Sequence, residues 1–146
     1  MARLKNQILE SLKNNYCRLK VSKINGIGVV AIKDIPQGTE LFKGTPKRQW
    51  AKLKISELKG IDQETKEMVQ GFFAADEDGG YWICAGGLNS IDISFYLNHS
   101  KKPNVKAIIN RNTDFVSHFV TARKIKKGEE LTVYYDVLDA CFGGKF

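Results

Sequence analysis

Asn98-His99-Ser100-Lys101-Lys102-Pro103-Asn104, answered further along the chain by Gly128-Glu129-Glu130-Leu131-Thr132-Val133-Tyr134-Tyr135, crowds polar chemistry in a way that an ordinary core segment does not. Short polar side chains and an imidazole stand beside a proline turn, and a tyrosine pair closes a strand-like run. Each buried polar group needs a partner, so a segment this rich in donors and acceptors is built to hold something.

The flanking sequence reads as short strands and turns. Residues 18–21 and 28–32 are expected strands around the turn Asn25-Gly26-Ile27-Gly28, where glycine supplies the positive φ of a tight reversal. Asp34-Ile35-Pro36-Gln37-Gly38-Thr39 is a second turn, followed by a strand over 40–42. Residues 46–60 and 62–73 are expected helices, the second with Asp62 as N-cap and Glu64 in its first turn. After a polar break at 76–80 come a strand over 81–84, a glycine break, and a short helix or turn over 90–97 that leads into the Asn98 segment. Residues 105–111 and 115–123 form a hairpin around Asn112-Thr113-Asp114, and 131–135 is the last strand. The sum is an α+β fold, mainly β.

With 146 residues, 42% of them hydrophobic, the chain can bury one core without staples. Cys17, Cys84 and Cys141 are scattered and form no C-x-x-C pair, which favours reduced thiols over a disulfide framework or zinc site. Residues 1–15 carry Leu4, Ile8, Leu9 and Leu12 among Arg, Lys and Asn, an amphipathic helix without the unbroken apolar run of a signal or membrane span. An intracellular place, nucleus or cytoplasm (the host nucleus for a viral chain), follows. The net charge of +7 suits contact with nucleic acid or another polyanion, and equally an ordinary basic surface.

From chemistry alone, Gly26-x-Gly28 is a hairpin as readily as a ligand loop: it lacks the third glycine and βαβ context of a dinucleotide fold. No phosphate loop occurs. His99 and His118 have no carboxylates at metal-ligand spacing, so no metal is expected. His118, among Val116, Phe119 and Val120, reads as a half-exposed strand residue.

In combination, Gly26-Ile27-Gly28 before Val29-Val30-Ala31, Asp34-Ile35-x-x-Gly38, Phe95-Tyr96-Leu97-Asn98-His99-Ser100-x-x-Pro103-Asn104 and Lys127-Gly128-Glu129-Glu130-Leu131-Thr132-x-x-Tyr135 resemble the SET-domain protein-lysine methyltransferases. The resemblance covers roughly 17–136, with 16–136 as the catalytic domain, 46–90 as a helical insertion and 137–146 as a short tail. It implies small curved sheets with a knot-like C-terminal crossing, an exception to unthreaded connections.

The resemblance also implies S-adenosylmethionine as cofactor and methyl transfer to a lysine amine of a protein substrate, a histone among the candidates. Gly26, Ile27, Gly28, Tyr96, Asn98, His99 and Tyr135 match or neighbour the family's cofactor contacts. Tyr135 matches the catalytic tyrosine, and Phe95, Tyr96, Tyr134 and the pair Tyr81-Trp82 are candidate walls for the lysine. The family often has Cys where this chain has Lys101, and Asp or Ser where it has Tyr134. The chain also lacks the Cys-rich zinc module that closes the channel in many members; Phe142 or Phe146 in the tail is the candidate substitute. The alternative is an inactive SET-like basic module that binds nucleic acid or chromatin, and contact with a nucleosome through the basic surface is compatible with either. A basic substrate asks for acids at the groove, and Asp76, Glu77, Asp78 and Asp92 are the local cluster.

Overall fold

The periodicity of Leu4, Ile8, Leu9 and Leu12 produces helix α1, Ala2–Lys13, in which no residue is buried. The computed structural model describes residues 1–45, 47–110 and 115–135. After α1, strands β1 (Cys17–Val21) and β2 (Ile27–Ala31) pair antiparallel, with Leu19 opposite Val29. Gly26 makes the reversal between them at φ +49, a conformation that a side chain would strain. The Asp34 turn then leads into the short strand β3, Glu40–Leu41.

The expected helix over 46–60 is not formed. Trp50–Lys54 is strand β4 instead, paired antiparallel with β5 (Gly80–Cys84), and only Ile55–Glu57 makes a single 3₁₀ turn. Ala, Lys and Leu are good helix formers, and Trp50 and Leu53 stand at helical spacing. The cross-strand partners decide otherwise: Leu53 lies opposite Tyr81 and Trp50 opposite Cys84, a ladder that outweighs weak local preference. The second helix forms as expected. Asp62 caps α2 (Gln63–Phe72) by accepting from the Thr65 N–H at 2.8 Å and the Thr65 hydroxyl at 2.7 Å.

Two further 3₁₀ turns, Gly87–Ser90 and Ile93–Tyr96, deliver the chain to β6, the two residues Asn98–His99. A hairpin follows, β7 (Val105–Asn110) against β8 (Phe115–Thr121), with a register shift between Ile108 and Ile109. The last strand, β9 (Glu130–Val133), enters between β2 and β6 to give the order β1-β2-β9-β6. It runs antiparallel to β2 and parallel to β6, Asn98 opposite Thr132. This is the C-terminal crossing that the resemblance implied. A three-stranded sheet, β3-β8-β7, and the β4-β5 pair complete an α+β fold of small sheets.

One core lies under the first sheet, with Val29, Ile35, Ile125 and Leu131 wholly buried. A smaller one joins Val69 and Phe73 to Cys84 between α2 and β5. Burial in the larger core pushes the Cys17 thiol from 9.0 up to about 11. The thiol therefore favours folding fully below pH 9, and that contribution is lost as pH rises toward 11, because the unfolded chain ionises first. The expected loss is about 2 to 3 kcal/mol. Urea unfolding at pH 8 and pH 10.5 should show a smaller alkaline loss in Cys17→Ala than in the parent; equal losses would remove Cys17 from this role.

Candidate active site

Strand β6 holds Asn98 between β9 and the Gly26 turn, with the residue only 7% exposed. Its Nδ2 faces Glu130 Oε1 at 2.8 Å, Ser22 Oγ at 3.0 Å and the Asn25 carbonyl at 3.1 Å, with the Ile27 carbonyl at 3.5 Å. The carboxylate and both carbonyls can only accept, and the Ser22 hydroxyl gives its own proton to Glu130 at 2.8 Å. The amide orientation is therefore fixed, nitrogen toward the turn and Oδ1 away from it. No donor among the described residues reaches Oδ1. A buried acceptor without a donor is costly, and a ligand bearing an ammonium group would satisfy it.

The neighbouring His99 accepts the Tyr135 backbone N–H on Nδ1 at 3.1 Å, which leaves the proton of the neutral imidazole on Nε2. Tyr134 and Tyr135 both lie 5.3 Å from the imidazole, measured between ring centroids. The Tyr135 hydroxyl donates to the Leu97 carbonyl at 2.8 Å. Burial raises the pKa of this phenol above the ordinary 10.0, so the hydroxyl is protonated at neutral pH.

Tyr135 and Leu97 also line a cavity of about 290 Å³. Its walls carry seven aromatic side chains besides Tyr135, those of Phe42, Trp50, Phe72, Phe73, Trp82, Phe95 and Phe119, together with His118 and the charged Glu40, Lys43 and Arg48. Phe42 meets Phe119 edge to face at 5.8 Å, and Phe73 meets Phe95 at 5.9 Å. Phe42 holds φ +57, the left-handed region that a bulky residue rarely adopts. Its strain accompanies a place in this wall. The Gly26 turn, Asn98 and His99 are not among the lining residues, so Tyr135 stands where two regions adjoin, one polar and one aromatic.

The family model described as the SET domain matches residues 26–136. The chain belongs to the SET-domain family. Among solved structures, a Plasmodium falciparum protein described as a putative histone methyltransferase is similar at 17% identity, TM-score 0.50, over 83% of this chain and 93% of that one. The methyltransferase domain of human PR domain-containing protein 2 is similar at 21% identity, TM-score 0.51, over 82% of this chain and 76% of that one. The Polycomb Repressive Complex 2 of Chaetomium thermophilum, bound to S-adenosylmethionine, is similar at 23% identity, TM-score 0.52, over 85% of this chain but 15% of that one. At these identities the likeness is one of fold. No curated protein sequence matches significantly.

Within this SET domain the candidate residues divide. Gly26, Ile27, Asn98, His99 and Tyr135 are brought together, joined by Asn98 Nδ2 and by the Tyr135–His99 bond. Tyr96 packs edge to face on Phe72 at 5.4 Å. Phe95 lines the aromatic cavity, whereas Tyr81 packs beside the smaller core and Tyr134 is 37% exposed against His99; neither is among the cavity's lining residues. Phe142 lies outside the described residues.

Of the four acids expected at the groove of the SET domain, three are paired within the chain and Glu77 is in none of the ion pairs among the described residues. Asp76 and Asp78 pair with Lys52 at 3.0 and 2.9 Å, and Asp92 pairs with Arg48. The Lys52 contact holds the Asp78 carboxyl below its ordinary range. Ser22, Leu97 and Glu130 were missed as site residues, because their partners lie far away in sequence. Among the described residues no group of three or more His, Cys, Asp or Glu is arranged to hold a metal, and no helix is long and apolar enough to cross a membrane.

Proposed function

We propose that the chain is an S-adenosylmethionine-dependent methyltransferase acting on the lysine amine of a protein substrate. One observation carries the reading: the Tyr135 hydroxyl, oriented by Leu97, stands between an ammonium-accepting polar region and an aromatic cavity. The donor set fits the cofactor. Asn98 Oδ1 is a buried acceptor suited to its amino-acid ammonium, and a Cβ built at Gly26 meets nothing within 4 Å, so the turn leaves backbone open to a ligand. Gly26, Ile27, Asn98, His99 and Tyr135 are the residues that would hold it, with Tyr96 and Phe142 as further candidates. When bound, S-adenosylmethionine supplies an electrophilic methyl group on a sulfonium.

The chain's own contribution is positioning and desolvation. Lysine has an ordinary pKa of ~10.4, and only the neutral amine is a nucleophile. Aromatic walls such as Phe95, Phe119 and Trp50 disfavour the charged form once the side chain has left water. Lone pairs on the Tyr135 oxygen accept from an amine N–H and stabilise positive charge developing nearby. The pairing of Asp76, Asp78 and Asp92 with Lys52 and Arg48 leaves these acids engaged within the chain, so recognition of a basic substrate rests on other groups.

Two measurements test the reading. Calorimetry with S-adenosylmethionine and its demethylated product should give a single saturable site, which Asn98→Ala weakens. Labelled cofactor incubated with a peptide and proteome panel should mark lysines, read by mass spectrometry. A protein that binds neither form of the cofactor is not this enzyme.

A further inference from the structure

The two glycines of Gly26-x-Gly28 do different work. Gly26 is required by its φ of +49, with nothing near a built Cβ. Gly28 has no positive φ, yet a Cβ there would stand 2.2 Å from Glu130 Oε1 and 2.8 Å from Glu130 Cδ, a separation that atoms do not tolerate. The missing side chain makes room for a carboxylate. That carboxylate accepts from the Ser22 hydroxyl, 2.8 and 2.9 Å from its two oxygens, and from Asn98 Nδ2 at 2.8 Å. Ser22 Oγ in turn accepts the backbone N–H groups of Ile24 at 2.8 Å and Asn25 at 3.2 Å. Among the described residues Glu130 has no cationic partner.

We propose that Glu130 is the positioning residue of the cofactor side: admitted by Gly28, its carboxylate latches Ser22 and Asn98, which presets the 22–28 turn and the direction of Asn98 Oδ1. Gly28 serves the latch and not the ligand. This rests on the methyltransferase reading for its ligand, though the latch itself is independent of it. A carboxylate acceptor gives stronger bonds than a neutral one, so removing it should free the Asn98 amide to rotate and blur the donor set.

A double-mutant cycle over Gly28→Ala and Glu130→Ala tests the latch, read by calorimetric affinity for S-adenosylhomocysteine and by urea midpoint. Each single change should weaken affinity about tenfold or more, and in the Glu130→Ala background Gly28→Ala should add little. Glu130→Gln turns an amide donor toward donors, and should raise the KM for S-adenosylmethionine while leaving kcat at saturation near the parent. Ser22→Ala should reproduce part of that rise in KM. Equal, additive costs of Gly28→Ala in both backgrounds would place Gly28 against the ligand and overturn the proposal, as would unchanged cofactor affinity in Glu130→Ala. If the parent binds no cofactor, the methyltransferase reading falls. The urea midpoints then decide the latch alone: coupling between positions 28 and 130 sustains it, and additivity removes it.

Discussion

Tyr135→Phe should slow methyl transfer by about a hundredfold or more while leaving affinity for S-adenosylhomocysteine within about twofold of the parent. The size is that of one preorganised polar group aimed at developing charge. The separation of effects follows from the contacts. The substitution removes the hydroxyl that donates to Leu97 at 2.8 Å but keeps the backbone N–H that donates to His99 Nδ1 at 3.1 Å, so the β6–β9 junction is retained. The Leu97 carbonyl loses its donor, which costs about 1 kcal/mol of stability. Burial holds the phenol protonated beyond its ordinary 10.0, so the rate should not rise with a phenolate between pH 8 and 10. Initial rates at saturating cofactor, set beside calorimetry on the same preparations, check both halves. Parent-like activity in Tyr135→Phe would strip the residue of its assigned role.

Asn104→Ala should be among the most damaging single changes away from the hydrophobic core, lowering stability by about 3 to 5 kcal/mol. Asn104 is 3% exposed. Its Nδ2 donates to the Glu130 carbonyl and its Oδ1 accepts from the Thr132 N–H, each at 2.8 Å. The side chain thus serves as a hydrogen-bonding partner for the backbone of β9, the strand inserted between β2 and β6. Truncation leaves a buried carbonyl and a buried N–H unpaired, at about 1 to 3 kcal/mol each. Asn104→Asp should not rescue, because one carboxylate oxygen must then face the Glu130 carbonyl. The urea midpoint of each variant decides, and a change below about 1 kcal/mol in Asn104→Ala would show that water or relaxation replaces the amide.

What sequence reasoning could see was local. Asp62 and its helix, the glycine turns and the β7–β8 hairpin each depend on residues within a few positions of one another. Trp50–Lys54 was misread because its deciding partner is β5, and a helical stripe is indistinguishable from a strand until that partner is known. The motif residues Asn98, His99 and Tyr135 were found together by resemblance, and the hydrogen bonds that join them were not. Asn98 meets Ser22 across 76 positions and Glu130 across 32, distances at which neither periodicity nor turn chemistry carries a signal. The aromatic wall was half visible: Phe95 and Trp82 were named, whereas Phe73 and Phe119 carried no signal until the fold brought them to one cavity.

Strand β9 is made after both strands it joins, since Val29 on β2 pairs with Leu131 and Asn98 on β6 with Thr132. During synthesis, β2 leaves the ribosome about a hundred residues before its partner, a wait of roughly 5 to 20 s. Its edge has β1 on one side and nothing on the other until then. Such an open edge is a template for pairing with other chains, so the nascent protein passes through an interval of aggregation risk that the mature fold does not reveal. Neither the Asn98 clamp nor the Tyr135 junction can assemble before that interval ends, and a chain arrested upstream of Glu130 is left with the polar segment but no means of ordering it.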